Sequence, residues 1–136
     1  MATVDPAAVY QHLRARGVAH SHALGILANI QGESGFRPGV VGDQGASFGL
    51  FQHQGNHRRN LEQFGSNPGD WRQQVDFALS EPEGVKYARQ MFRSPADATD
   101  AWTRWFERPA NPDQDVRRRI GFLPGLARHV GGAVDV

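Results

Sequence analysis

Apolar residues recur along most of the chain at the three- and four-residue spacing of a buried helix face. Asp5 and Pro6 read as an N-cap and first helical residue, with Val9 and Leu13 on one face and Gly17 as the stop. A second helix, capped by Ser21, carries Ala23, Leu27 and Ile30 on one side. Leu61 and Phe64 mark a short third helix. Asp70 caps a fourth, in which Trp71, Val75, Ala78 and Leu79 pack before Pro82. Val85, Ala88 and Phe92 mark a fifth. Ser94-Pro95 opens the clearest one, with Ala98, Ala101, Trp102, Trp105 and Phe106 at helical spacing until Pro109. A last helix runs from about Asp113 toward His129, kinked or split at Pro124, and "GGAVDV" (131–136) reads as a frayed, flexible tail.

The helical pattern breaks between Val40 and Gln52. Val40 and Val41 lead into Gly42-Asp43-Gln44-Gly45, which is turn chemistry, and Ser47 to Gln52 is aromatic and extended in character. A small β-hairpin between helices follows. The expected fold class is therefore mostly α with one hairpin, built as a single domain over residues 1–136 with no repeat or linker to divide it.

Composition narrows the function. A chain of 136 residues with 39% apolar content, three Trp and eight Phe supports one hydrophobic core. A net charge of +1 argues against a strongly charged nucleic-acid binder, while a pI near 8.4 would not repel an anionic wall polymer. The absence of cysteine excludes disulfides and thiolate metal sites. No stretch is apolar for long enough to insert in a membrane, and "MATVDPAAVYQHLRARG" lacks the apolar core of a signal peptide. Delivery to a target outside the cytoplasm would then fall to something else.

Candidate chemistry centres on Glu33, which arrives as the second helix stops. The partial negative charge of a helix C-terminus disfavours a carboxylate by about 0.3–1 kcal/mol. Phe36, Phe48 and Phe51 are close enough in sequence to desolvate it further. Both effects raise the pKa, and a carboxylic acid kept protonated near neutrality is what general-acid cleavage of a glycosidic bond needs. The competing reading is a solvated glutamate at a frayed helix end.

"NIQGESGF" (29–36) followed by "GDQGASFGLFQ" (42–52) resembles the lysozyme-like superfamily, in particular its phage tail lysozyme and soluble lytic transglycosylase branches. Weaker similarity continues through "HRRNLEQF" (57–64), "QVDFALSE" (74–81) and "FERP" (106–109), so that it covers roughly residues 20 to 110. The resemblance implies a lysozyme-like fold with the hairpin beside the cleft. It implies Glu33 as the catalytic acid, Ser47, Phe48 and Gln52 as substrate-binding residues, and Gly49 and Leu50 as residues that shape the strand. It further implies a muramidase acting without cofactor or metal on the β-1,4 bond between N-acetylmuramic acid and N-acetylglucosamine. The partners it implies are peptidoglycan glycan strands and other phage tail or virion proteins. Such a protein is virion-associated or released from the host cytoplasm, and acts on the cell wall.

Asp43 is the local candidate for the second catalytic group, since a glycine-rich turn could aim it across the cleft. If it only turns the chain, the sugar's own hydroxyl could close on the anomeric centre and leave an anhydro end, as in lytic transglycosylases. A different class is a non-catalytic glycan-binding virion module. A third is a zinc peptidase resting on His53 and His57, four residues apart but without a nearby third ligand. "VRRRIGF" (116–122) reads as a solvated helix face, and Glu107 and Arg108 read as a structural pair beside Trp105. Alternation along a strand would set Phe48 and Gln52 on one side and Ser47 on the other, so a bend is expected near Phe48 and Gly49.

Overall fold

The computed structural model describes residues 2–134. Helix α1 (Pro6–Ala15) starts as the sequence predicts, with the Asp5 carboxylate accepting the Ala7 N–H at 2.9 Å. Helix α2 (His20–Ser34) is the centre of the molecule, with every residue from His22 to Ile30 buried. A helix covered on all sides has little amphipathic pattern, and this one is enclosed by its neighbours. Its cap is not Ser21 but Ala19, which offers no side-chain bond. What holds the start of α2 is His20, whose Nδ1 lies 2.9 Å from the Tyr10 hydroxyl of α1.

The expected hairpin is a three-stranded antiparallel sheet, β1 (Val41–Gly42), β2 (Ser47–Phe48) and β3 (His53–Gln54), in that order. Register pairs Val41 with Phe48 and Phe48 with His53. The extended run expected from Ser47 to Gln52 is broken after Phe48. There Gly49 adopts φ +86° and the chain turns before re-entering the sheet at His53. The buried side chain of Gln74 clamps this turn. Its Oε1 accepts the Leu50 N–H at 2.8 Å, and its Nε2 donates to the Pro38 and Pro68 carbonyls at 2.9 Å each.

Helix α3 (Gly55–Phe64) leaves the sheet, and α4 (Trp71–Ser80) follows with Asp70 capping the Arg72 N–H. Asp76 of α4 bonds His12 at 2.8 Å and Arg16 at 3.0 Å, joining α4 to α1. Helix α5 (Pro82–Arg89) leads to α6 (Pro95–Trp102), which continues as one π-helical turn, Thr103–Glu107. Arg108 closes that turn in the left-handed region at φ 48°. The last expected helix is two, α7 (Pro112–Ile120) and α8 (Leu123–Val134). Pro124 lies in the first turn of α8, so the chain divides at Gly121 and Phe122. Helix α8 takes in Gly131–Val134 of the expected tail, while Asp135 and Val136 lie outside the described residues. No helix among the described residues is long and apolar enough to cross a membrane.

The core joins α2 to α6 around Trp102, which stacks on Phe106 with ring centres 4.3 Å apart and meets Tyr87 edge-on at 4.9 Å. Gly25 permits the α2–α6 approach. A Cβ there would stand 2.8 Å from the Ala98 backbone and 2.9 Å from that of Thr99. Neither is a side chain that can step aside, so Gly25→Ala should separate the helices and cost about 1–3 kcal/mol, as overpacked cores do. Urea unfolding checks this: a lower midpoint is expected, and an unchanged one contradicts the close approach.

Candidate active site

Glu33 occupies the last turn of α2, ahead of Gly35, which ends the helix at φ 60°. Its charge at that unfavourable end is answered by Arg119 of α7, whose Nη2 lies 2.5 Å from Glu33 Oε1. Arg119 is 2% exposed and belongs to the stretch that reads as a solvated face. A guanidinium so deeply buried must have its donors met. Its Nη1 donates to Asn29 Oδ1 at 2.5 Å, and the same oxygen accepts the Thr103 hydroxyl at 2.8 Å. Asn29 in turn donates to the Gly25 carbonyl at 2.9 Å. One network therefore joins α2, the π turn and α7. Gly32 makes room for it, since a Cβ there would lie 2.8 Å from Arg119 Nε.

Two opposing effects act on Glu33. Burial raises its pKa, and the Arg119 charge and hydrogen bond lower it; the net shift is upward. The direction matches the sequence argument: burial drives it, and a partner 86 residues away opposes it. Glu107 carries a stronger upward shift, driven by burial and then by the charge of Glu33, with Arg119 opposing. Trp102 Nε1 donates to its Oε1 at 3.2 Å. The expected Glu107–Arg108 pairing is replaced by an Arg108–Glu83 bridge of 2.8 Å.

A cavity of about 230 Å³ opens beside this centre, lined by Phe51, Gln52, Phe106, Glu107 and their neighbours. Among the sequence-predicted residues, Gln52 is in its lining, whereas Glu33, Asp43, Ser47 and Phe48 are not. Gln52 has a left-handed backbone (φ 54°) and donates from Nε2 to the Gly49 carbonyl at 2.9 Å. Asp43 is exposed in a 3₁₀ turn, Asp43–Gly45, with φ 50°, and its Oδ2 accepts the Ser47 hydroxyl at 2.5 Å. Ser47 itself is buried. Phe48 is half-buried, with the Arg58 guanidinium over its ring at 5.4 Å.

The two histidines weighed as zinc ligands share one carboxylate. Buried Glu81 lies 2.8 Å from His53 Nε2 and 2.5 Å from His57 Nδ1, and both rings line the cavity. Sequence reading missed Glu81 and Glu107, which no local pattern marks. Arg119 did carry a signal: Val116, Arg119 and Ile120 share the spacing of an inward helix face.

Comparison with known proteins agrees with the fold. The family described as phage tail lysozyme matches residues 6–121, from the start of α1 to the end of α7 and the residue after it. No curated protein matches the chain. A match over most of the sequence assigns the family: the chain belongs to the phage tail lysozymes, lysozyme-like glycosidases that degrade peptidoglycan.

Proposed function

We propose that the protein is a muramidase that hydrolyses the β-1,4 bond between N-acetylmuramic acid and N-acetylglucosamine, with Glu33 as general acid. The observation that carries this reading is the carboxyl of Glu33, held by Arg119 at the end of a buried helix and shifted toward its protonated form. A fixed, partly desolvated acid can protonate the bridging oxygen and leave an oxocarbenium-like centre on the adjoining sugar. Asp43 positions and deprotonates the attacking water. Ser47 steers Asp43 through their hydrogen bond, and so acts on the reaction through that carboxylate rather than on sugar directly. Gln52 contacts sugar from the cavity wall, and the half-buried Phe48 contacts sugar outside that cavity.

The substrate in this reading is the glycan strand of the wall. The protein reaches it as part of a virion, with other tail proteins, or after release from the host cell. The family assignment supports that setting.

Glu33→Gln keeps the shape of the side chain and removes the proton. It should fold and lose about 10²–10⁴-fold of muropeptide release from purified sacculi. Near-wild-type turnover by the folded variant removes Glu33 from the role. Asp43→Asn should lose activity by a smaller factor, because a poorly placed water still reacts whereas an unprotonated leaving group does not depart. Ser47→Ala should follow Asp43→Asn in the same direction. Product masses decide the second step, since hydrolysed and anhydro ends differ by one water. Hydrolysed ends are expected; a fully active Asp43→Asn with anhydro ends makes Asp43 a turn residue and the enzyme a transglycosylase.

A further inference from the structure

Glu81 stands where α4 ends and α5 begins, and its carboxylate is the hub of a cluster that the mechanism above leaves unused. Its Oε1 lies 2.8 Å from His53 Nε2 and its Oε2 2.5 Å from His57 Nδ1. One acid thereby ties β3, the first turn of α3 and the α4–α5 junction together. The side chains of Glu81 and His53 are 5% and 2% exposed, whereas that of His57 is 54% exposed. A carboxylate accepts and does not donate, so each imidazole turns an N–H toward it. That fixes both tautomers, because the bond one ring nitrogen makes decides what the other can do. His53 donates from Nε2, and its buried Nδ1 has no partner among the described residues. The rings of Phe51, Phe77 and Phe106 hold it in place, with centres at 5.8, 5.2 and 5.9 Å. His57 donates from Nδ1, and the lone pair of its Nε2 is left for whatever occupies the cavity that both rings line.

The rest of the lining says what that occupant is. Gln52 brings an amide, Phe106 a ring, and Glu83 and Glu107 bring carboxyls. The cation in the lining is Arg108, which uses Nη2 on Glu83 at 2.8 Å and Nε on the Trp105 carbonyl at 3.2 Å. Acceptors therefore dominate, and no arginine or lysine of the lining is free to receive a carboxylate. We propose that His57 is a sugar-binding residue, held in place by Glu81, and that the cavity takes an N-acetylglucosamine unit of the strand rather than a muramyl unit. This rests on the glycan reading above and names which sugar lies in the cavity. A hydroxyl or the acetamido N–H of that sugar donates to His57 Nε2, which Glu81 orients from behind as a positioning residue. A muramyl unit carries the same donors, but its lactyl branch and peptide stem bring carboxylates that would face Glu83 and Glu107 without a free cation to meet them.

The test is a ¹⁵N NMR titration of the wild-type imidazoles with tri-N-acetylchitotriose, and separately with muramyl dipeptide. His57 should show a protonated Nδ1, and the trisaccharide should shift its Nε2 resonance as the lone pair accepts a hydrogen bond. Muramyl dipeptide at the same concentration should leave that resonance in place. No shift with the trisaccharide, or an equal shift with the dipeptide, overturns the proposal. Because His57 is more than half exposed, substitutions there should fold. His57→Phe keeps a ring and removes both nitrogens, so the Kd for the trisaccharide should rise about three- to tenfold, the loss of one hydrogen bond. His57→Gln returns an acceptor and should recover most of that loss. An unchanged Kd in His57→Phe, or a His57→Gln that binds no better than His57→Phe, overturns the role of the nitrogen. The two readings fail separately. A fully active Glu33→Gln removes the acid and leaves these binding results standing, whereas an inactive Glu33→Gln with unchanged binding in His57→Phe removes this inference alone.

Discussion

A guanidinium withdrawn from water must find acceptors inside the fold, and Arg119 finds two of them on α2. Asn29 and Glu33 come from one face of α2, and Thr103 reaches the same Asn29 oxygen from the π turn. Removing any one partner leaves buried polar atoms unmet, which makes the set cooperative. The helix end at Glu33 is thereby fixed to α7 and to the turn that carries Glu107. Arg119 Nε has no hydrogen-bond partner among the described residues.

Backbone strain recurs in the turns around the sheet and just after the π turn. Asp43, Gln44, Gln52 and Arg108 all adopt left-handed φ without being glycine. Each such conformation costs about 1 kcal/mol or more and persists only where the surroundings enforce it. Here the enforcers are visible: the Ser47–Asp43 bond, the Gln52 amide on Gly49, and the bridge from Arg108 to Glu83. The three short strands act less as a sheet than as a frame that holds these turns against Gln74 and α4.

Most of the helices were legible in the sequence because their boundaries are chemical: Asp5 and Asp70 as caps, and Pro6 and Pro95 in first turns. Ser21 misled, since a helix start can be set by a tertiary bond such as Tyr10–His20 instead of a cap. The third strand was hidden because strands of two residues leave no alternation to read. At the site, the stretch around Glu33 and the turn from Gly42 to Gln52 stood out through composition and family resemblance. Arg119 did not, because its partners Asn29 and Glu33 lie 90 and 86 residues away in the chain. A run of three arginines reads as surface until the one at the inward spacing is identified.

The central claim is that the carboxyl fixed by Arg119 at the end of α2 is the one that meets the scissile bond. A crystal structure of Glu33→Gln with a bound muramyl oligosaccharide tests it most directly. The account predicts the bridging oxygen within hydrogen-bond reach of residue 33, about 2.6–3.2 Å, with a neighbouring sugar against Gln52 in the cavity. A glycan bound with its bridging oxygen against Glu107 or the His57–Glu81 pair, and out of reach of residue 33, would contradict it.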